Sequence, residues 1–167
     1  MGLFSLFRGK KSARAPRCSV VIVSAGLCTE ECLRAVKVLE HNGIQAAIYH
    51  VSTLKPFDYP EIVENIARSR YGAISLENHT IVGGLGSCLA EAMAEAGVGK
   101  RLTRLGIQDQ FLHGASRSYL MKEYGMDVDA LLQAVEQAVG QTLIIREEDV
   151  GQVFLPAALS DAKPEAL

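Results

Sequence analysis

Four short apolar runs alternate with segments of helical periodicity along the chain. They are residues 19–23, 44–51, 73–76 and 102–107. The first of them is a continuous β-branched run, as is typical of a strand buried on both faces. Short links join each run to the helical pattern that follows it, and such strand–helix–strand units require parallel strands. The pattern therefore predicts a three-layer α/β/α domain with a mostly parallel sheet.

Polar residues that accept hydrogen bonds from backbone N–H groups precede most of the predicted helices. The predicted caps are Thr29, Asp58, Ser116 and Asp127. Asp58 also forms a capping-box pattern with Glu61. A further helix is predicted from Ser87 to Ala96, and it follows a glycine-rich turn rather than a capping residue. Apolar residues recur at helical spacing after each start, which gives every predicted helix one buried face.

Periodicity is confined to residues 18–140, which we interpret as a single domain. Residues 141–167 lose the pattern and are predicted to form a tail, in which residues 143–145 alone could pack against the domain. Residues 1–17 contain five basic residues and no acidic one. Three interpretations of this basic leader remain open: a flexible leader, a weak organelle presequence, or a segment that lies on a membrane surface.

The composition narrows the class of protein. Hydrophobic residues make up 49% of the chain and charged residues 22%, as in ordinary globular domains. A net charge of −2 provides no general attraction to nucleic acid, so we predict no nucleic-acid partner. No apolar run approaches the roughly 20 residues that cross a bilayer, so we predict no transmembrane segment.

The four cysteines are expected to be free thiols. Cys28 and Cys32 are separated by three residues, so they do not form a CxxC redox pair, and no second cluster completes a zinc site with them. Cys18 opens a strand, and Cys88 lies on an apolar helix face. Buried free thiols imply a reducing compartment, and we predict a cytoplasmic location.

The stretch that follows the third predicted strand contains the main candidates for function. Ligands bind open α/β sheets at the carboxyl ends of the strands, and the unpaired N–H groups at a helix start bind anions. The candidate ligand-binding or interface residues here are Glu77, Asn78, His79, Gly83, Gly84, Gly86 and Ser87. The turn has neither GxGxxG spacing nor a Walker lysine. Its glycines could therefore cradle an anion, or they could let the helix pack closely onto the sheet.

A second group of candidates follows the fourth predicted strand. Asp109 and His113 lie in its loop, and Arg117 lies in the first turn of the next helix. Together with Glu77 and His79 they could form an acid/base pair or a metal site. No pair has helical metal-ligand spacing and no nucleophile motif such as GxSxG is present, so hydrogen bonding in loops or at an interface is the competing interpretation. Arg117 would face a partner or an anion, or remain solvated.

Five pieces of sequence carry a resemblance to a known family. They are VVIVSAG at residues 20–26, LKPFD at 54–58, ENHTIVGGLGS at 77–87, RLGIQDQF at 104–111, and residues 114–125. In this order and spacing they resemble the C-terminal domain of transketolases. They are also similar to the last domain of 1-deoxyxylulose-phosphate synthases and of 2-oxo-acid dehydrogenase β subunits.

The resemblance implies a fifth, antiparallel strand near residues 10–14. It also implies that thiamine diphosphate and magnesium bind in an assembly, between two other domains, and not to this chain alone. No catalytic residue and no metal ligand carries over, because the matching positions are not the catalytic ones of the family. Glu77, Asn78, His79 and the glycine-rich turn match a family motif whose position suits contact with another domain or with a small anionic ligand.

Three hypotheses for function follow. The chain could be the C-terminal subunit of a split transketolase-like enzyme, active only in a homo- or hetero-oligomer with chains that carry the thiamine-diphosphate-binding domains. It could be a free-standing regulatory or binding module for a phosphorylated metabolite. It could be a small enzyme that uses Glu77, His79, Asp109 and His113. The first hypothesis is favoured because the cofactor-binding domains do not fit within this chain.

Overall fold

The computed structural model describes residues 18–151, in which a four-stranded sheet lies between two layers of helices. The strands are β1 (Val20–Ser24), β2 (Ala46–His50), β3 (Ala73–Thr80) and β4 (Leu102–Ile107). The helices are α1 (Cys28–Arg34), α2 (Val36–His41), α3 (Pro60–Arg68), α4 (Leu85–Glu95), α5 (Arg117–Glu123) and α6 (Val128–Val139), followed by a 3-10 turn at Glu147–Asp149. The predicted α/β/α architecture is confirmed.

The four strands pair in parallel in the order β2-β1-β3-β4. They are parallel because each connection passes through helix before the next strand begins. The carboxyl ends of β1 and β3 therefore lie side by side at the centre of the sheet, where Ser24 is the partner of Leu76. The antiparallel strand expected near residues 10–14 and the rest of the basic leader lie outside the described residues.

Successive residues of β1 face opposite sides of the sheet. Val20 and Ile22 pack with side chains of α1, α2, α5 and α6, which we call the upper layer. Val21 and Val23 pack with side chains of α3 and α4, which we call the lower layer. All four side chains are fully buried, which explains why the strand has a continuous apolar run rather than an alternating pattern.

Two of the four predicted helix caps are confirmed. The side chain of Ser116 accepts a hydrogen bond from the N–H of Tyr119, and that of Asp127 accepts one from the N–H of Ala130. Each of these bonds spans three residues, so a local sequence pattern is sufficient to predict it.

The other two predicted caps are wrong. Thr29 lies inside the first turn of α1, and its hydroxyl bonds to side chains of the sheet instead of capping the helix. The helix α3 follows Tyr59 without any side-chain cap, so Asp58 does not form the predicted capping box. Pro60 occupies the first position of α3, where its missing N–H leaves one donor fewer to be capped.

Several element boundaries differ from the prediction. The strands β1 and β2 begin at Val20 and Ala46 instead of residues 19 and 44, and they end at Ser24 and His50 instead of residues 23 and 51. The helix expected to run from Thr29 to Asn42 divides at Ala35 into α1 and α2. The strand β3 continues four residues beyond Leu76, and α4 begins two residues before Ser87. The last two differences have a common cause, which is the contact between β3 and α4 described below.

Residues 141–151, the first part of the predicted tail, contact the upper layer. Leu143 is buried, and the backbone N–H and carbonyl of Ile144 bond to the side chain of Asn42 at 2.8 and 2.9 Å. The N–H of Gly151 donates to the carbonyl of Arg34, whose side chain donates back to the carbonyl of Gly151. These residues therefore extend the domain beyond residue 140, whereas residues 152–167 lie outside the described part.

The cysteines in the upper layer are buried free thiols, as predicted. Cys28 and Cys32 have no solvent exposure, whereas Cys18 and Cys88 are half-buried. Burial raises the pKa of the Cys28 and Cys32 thiols from 9.0 to about 12, because the low-dielectric interior disfavours the thiolate.

The free energy of unfolding is expected to fall as the pH rises above about 9. Between pH 9 and about 12 the folded protein keeps both thiols protonated, whereas the unfolded chain releases the protons, so added base favours unfolding. Each thiol contributes a slope of up to roughly 1 kcal/mol per pH unit. Urea unfolding at pH 8 and pH 10 should show a smaller decrease for the variant C28A/C32A than for the wild type. Equal decreases would contradict this expectation.

Candidate functional site

Glu77 of β3 is buried and caps the start of α4. Its Oε2 accepts a hydrogen bond from the N–H of Leu85 at 2.6 Å, and its Oε1 accepts one from the N–H of Gly86 at 2.9 Å. The first N–H groups of a helix have no partner within the helix, and the helix dipole favours a negative charge beside them. The Glu77 carboxylate therefore occupies the position at which an anionic ligand would bind to this helix.

Three glycines allow β3, β4 and α4 to approach closely enough for this contact. A Cβ atom at Gly84 would collide with the carboxylate of Glu77. A Cβ atom at Gly86 would lie 2.7 Å from the hydroxyl oxygen of Ser75, and one at Gly106 would lie 3.0 Å from Cγ of Glu77. These distances are shorter than ordinary van der Waals contacts, so close packing accounts for Gly84 and Gly86.

The remaining residues of the glycine-rich turn bond to one another. Gly83 has a φ of 73°, in the left-handed region that glycine adopts without strain. Its N–H donates to the Ser87 hydroxyl at 3.0 Å, and that hydroxyl donates to the carbonyl of Ile81 at 2.9 Å. Ser87 therefore closes the turn through its side chain.

The strand β3 contains a bulge at the candidate residues. In its register with β4, residues 77–79 stand opposite the single residue Gly106. A bulge turns neighbouring side chains away from strict alternation. Glu77 is 2% exposed, whereas Asn78 and His79 are exposed to solvent. Of Glu77, Asn78 and His79, only the last two therefore present their side chains to a partner or a ligand.

Two of the candidate residues that follow β4 bond to partners other than Glu77. Asp109 is exposed, and Nδ1 of His113 lies 3.3 Å from the hydroxyl of Tyr124. Arg117 donates to Oε2 of Glu30 at 2.6 Å, which joins the start of α5 to α1. The grooves found along β4 and between α3 and α4 contain none of the ten candidate residues. The candidates that remain exposed are Asn78, His79, Gly83, Asp109 and His113, and they line neither of these two grooves.

A chain of three polar side chains at the same edge was not predicted. The hydroxyl of Ser24, at the end of β1, lies 3.0 Å from that of Thr29. The Thr29 hydroxyl lies 2.6 Å from Nδ1 of His50, at the end of β2. Ser24 is buried and His50 is exposed. A signal was available, because Ser24 and His50 end apolar runs in the same way as Glu77 does.

Large apolar side chains are exposed at the same edge of the sheet. They follow the strands β1, β3 and β4, and we call them the apolar edge residues: Leu27, Val82, Phe111 and Tyr119. Phe111 is fully exposed, with a relative exposure of 104%. Exposed aromatic side chains are enriched at surfaces that bind other proteins.

Thiamine diphosphate does not fit the start of α4. A diphosphate would need the N–H groups of Leu85 and Gly86, and the buried carboxylate of Glu77 already binds both and would repel it. Among residues 18–151, no three side chains of His, Cys, Asp or Glu lie close enough together to hold a metal ion. In the same part of the chain, no helix is both long enough and apolar enough to cross a membrane.

Comparison with known proteins gives the family. Residues 9–131 match the family model of the transketolase C-terminal domain. A putative transketolase C-terminal section from Methanocaldococcus jannaschii is 36% identical over 116 residues, which cover 70% of this chain and 35% of the relative. The 1-deoxy-D-xylulose-5-phosphate synthase of Chlorobium phaeovibrioides is 32% identical over 69% of this chain and 18% of its own length.

A solved structure described as a split gene transketolase, inactive beta4 tetramer, is also similar. It superposes with a TM-score of 0.67 and 31% identity, over 73% of this chain and 39% of that chain. The chain thus spans about a third of the length of the archaeal section, and a similar share of a transketolase family protein from Sinorhizobium fredii. The transketolases and 1-deoxyxylulose-phosphate synthases to which these relatives belong use thiamine diphosphate. The chain described here is a member of the transketolase C-terminal domain family.

Proposed function

We propose that this chain is the C-terminal subunit of a split transketolase-like enzyme. In this proposal it contributes no catalytic residue and binds no cofactor. It supports the assembly and its dimerisation, and partner chains provide the domains that bind thiamine diphosphate and magnesium. The assembly, and not the chain alone, transfers a two-carbon unit between sugars.

The observation that carries the proposal is the extent of the match. The chain corresponds to a family domain that makes up 35% of the archaeal C-terminal section and 39% of the split-gene chain. The family members use thiamine diphosphate, and the match leaves the remaining two-thirds of such relatives uncovered. In this proposal a partner chain supplies those parts.

In the same proposal, the partner binds at the carboxyl edge of the sheet. Phe111 is fully exposed on the loop that follows β4, and Asn78 and His79 are exposed at the end of β3, the neighbouring strand. An exposed aromatic residue with polar neighbours is the composition of an interface, in which the aromatic side chain supplies most of the affinity. In this account the candidate residues that remain exposed serve contact with the partner chain.

The alternative of a binding module for a phosphorylated metabolite has weaker support. The N–H groups that would bind a phosphate at α4 already bond to Glu77. Calorimetry with sugar phosphates is therefore expected to show no binding by the isolated chain. Saturable binding that depends on Arg117 or His79 would favour the alternative.

The proposal is tested by capturing the tagged chain from its own cells. A polypeptide that carries the thiamine-diphosphate-binding domains is expected to co-purify in a constant ratio. Capture of the chain as a homo-oligomer alone, under conditions in which the partner is expressed, would contradict the proposal.

Phe111→Asp is expected to weaken binding to that partner by roughly 30-fold, which corresponds to about 2 kcal/mol for loss of an aromatic contact at an interface. Its stability should remain unchanged, because the side chain contacts solvent in the isolated domain. The matched control is Ile144→Asp, which replaces an apolar side chain that is 68% exposed but follows α6 rather than a strand. Equal affinities of the two variants, measured by titration, would place the interface elsewhere.

A further inference from the structure

Three of the four histidines of the chain lie at the carboxyl edge of the sheet. His50 ends β2, His79 lies at the end of β3, and His113 follows β4. All three residues are exposed. Histidine is the side chain that ordinarily changes its charge between pH 5 and 8. The edge can therefore gain up to three positive charges when the pH falls within this range.

The hydrogen bonds around His50 determine which of its ring nitrogens carries the proton. The Ser24 hydroxyl donates to the carbonyl of Tyr49 at 3.3 Å, so it accepts from the Thr29 hydroxyl at 3.0 Å. Each hydroxyl has a single proton, so the Thr29 hydroxyl in turn accepts from Nδ1 of His50 at 2.6 Å. In the neutral ring the proton is therefore on Nδ1, and Nε2 is left as an acceptor.

The same tautomer follows for His79. Its Nδ1 lies 3.1 Å from the carbonyl oxygen of Thr80, and a carbonyl oxygen can only accept. Because both histidines are exposed and neither Nε2 bonds within residues 18–151, both atoms are available to donors from another molecule. The strands β2 and β3 flank β1, so two strand spacings, or roughly 10 Å, separate them. One partner surface can span both rings.

The charged groups of this edge do not bond to the two rings. Its carboxylates are those of Glu30, Glu31, Asp58, Glu77 and Asp109, and its cationic groups are those of Lys55, Arg104 and Arg117. Within residues 18–151, only His41 forms an ion pair with a carboxylate among the histidines. The buried Cys28 thiol stays neutral, because burial raises its pKa to about 12. A protonated His50 or His79 therefore has no carboxylate bonded to it, and charges on neighbouring rings repel each other.

We propose that the partner chain donates hydrogen bonds to Nε2 of His50 and of His79, and that the assembly loses affinity as the pH falls. This inference rests on the proposed function, which places the partner at the carboxyl edge. A ring that accepts from the partner must be neutral, and contact with the partner removes the water that would stabilise a charged ring. Protonation and partner binding therefore oppose each other. The partner surface that fits presents N–H or O–H donors, and no carboxylate, opposite the two rings.

Nitrogen-15 NMR of the chain alone tests the tautomers. At pH 8, His50 and His79 are expected to carry the proton on Nδ1, whereas a solvated imidazole favours Nε2. The variants His50→Gln and His79→Gln assign the two sets of signals. A proton on Nε2 of either neutral ring would overturn the inference, whether or not a partner has been captured.

Partner binding tests the pH dependence. Between pH 7.5 and pH 5.5, the affinity of the wild type for the captured partner is expected to fall by at least about tenfold, since each ring that must be neutral can cost up to about tenfold per pH unit. The variant H50Q/H79Q keeps an acceptor at each position and does not titrate there, so its affinity should be nearly independent of pH. The matched control H41Q changes the histidine that ends α2, just before β2 begins and hence at the opposite edge of the sheet, and should keep the full decrease.

Circular dichroism at both pH values checks that the three proteins are folded. Wild-type affinity that is constant or higher at pH 5.5, or an equal decrease in H50Q/H79Q, would overturn this inference and leave the proposed function standing. The absence of any partner would overturn both.

Discussion

Glu77→Ala is expected to reduce the free energy of unfolding by about 3 kcal/mol, since each buried N–H left without a partner costs about 1–3 kcal/mol. The variant removes the acceptors of the Leu85 and Gly86 N–H groups and leaves a space beneath the start of α4. It also removes the negative charge at the positive end of the helix dipole. Urea denaturation measures the change.

Two comparisons make this expectation specific to the contact. Glu91→Ala changes an exposed glutamate on the same helix and should alter stability by less than about 0.5 kcal/mol. Glu77→Gln keeps one acceptor but turns an NH₂ group toward the other donor, so it should lie between the wild type and the alanine variant. A loss below about 1 kcal/mol for Glu77→Ala would show that the carboxylate is not required to start α4.

Gly84→Ala is expected to destabilise the domain by about 3 kcal/mol, at the upper end of the range for overpacked sites. The added methyl group would collide with Oε2 of Glu77 and lie 2.6 Å from the carbonyl oxygen of Thr80, which belongs to the backbone and cannot rotate away. The control is Gly99→Ala, whose methyl group meets nothing within 4 Å. That variant should be as stable as the wild type or slightly more stable.

The two changes should not be additive. In the Glu77→Ala background, the collision with Oε2 no longer exists, so Gly84→Ala should cost less than it does in the wild type. A double-mutant cycle by urea denaturation measures this coupling. Full additivity would contradict the geometry that places Gly84 against the carboxylate.

The features that the sequence predicted correctly depend on local signals. The strand β4 has the predicted bounds because its apolar run is flanked by polar residues on both sides. The caps Ser116 and Asp127 bond to N–H groups three residues away, so nothing beyond the local pattern decides them. The continuous run in β1 predicted burial on both faces, and both faces are buried.

The features that were missed depend on contacts between distant residues. Thr29 has the composition of a cap, but its hydroxyl bonds to His50, 21 residues away on the neighbouring strand. Glu77 bonds to N–H groups eight and nine residues away, and this contact extends β3 and starts α4 early. Which partner a polar side chain selects is decided by the packing of the sheet, and no local pattern contains that information.

The sequence indicated the edge of the sheet at which the candidate residues lie, but not which of their side chains are buried and which are exposed. The rule that parallel strands bind ligands at their carboxyl ends placed Glu77, His79, Asp109 and His113 at one edge. It did not separate Glu77, which is buried against α4, from Asn78 and His79, which remain exposed. That separation follows from the bulge opposite Gly106, where β3 has two residues more than β4.

Ketol transfer by reconstituted protein tests the central claim most directly. The chain, the partner captured with it, and an equimolar mixture would each be assayed with thiamine diphosphate, magnesium and a panel of sugar phosphates. We expect no turnover by the chain alone, and two-carbon transfer by the mixture that weakens when Phe111→Asp replaces the wild type. Turnover by the purified chain without any companion would contradict the account.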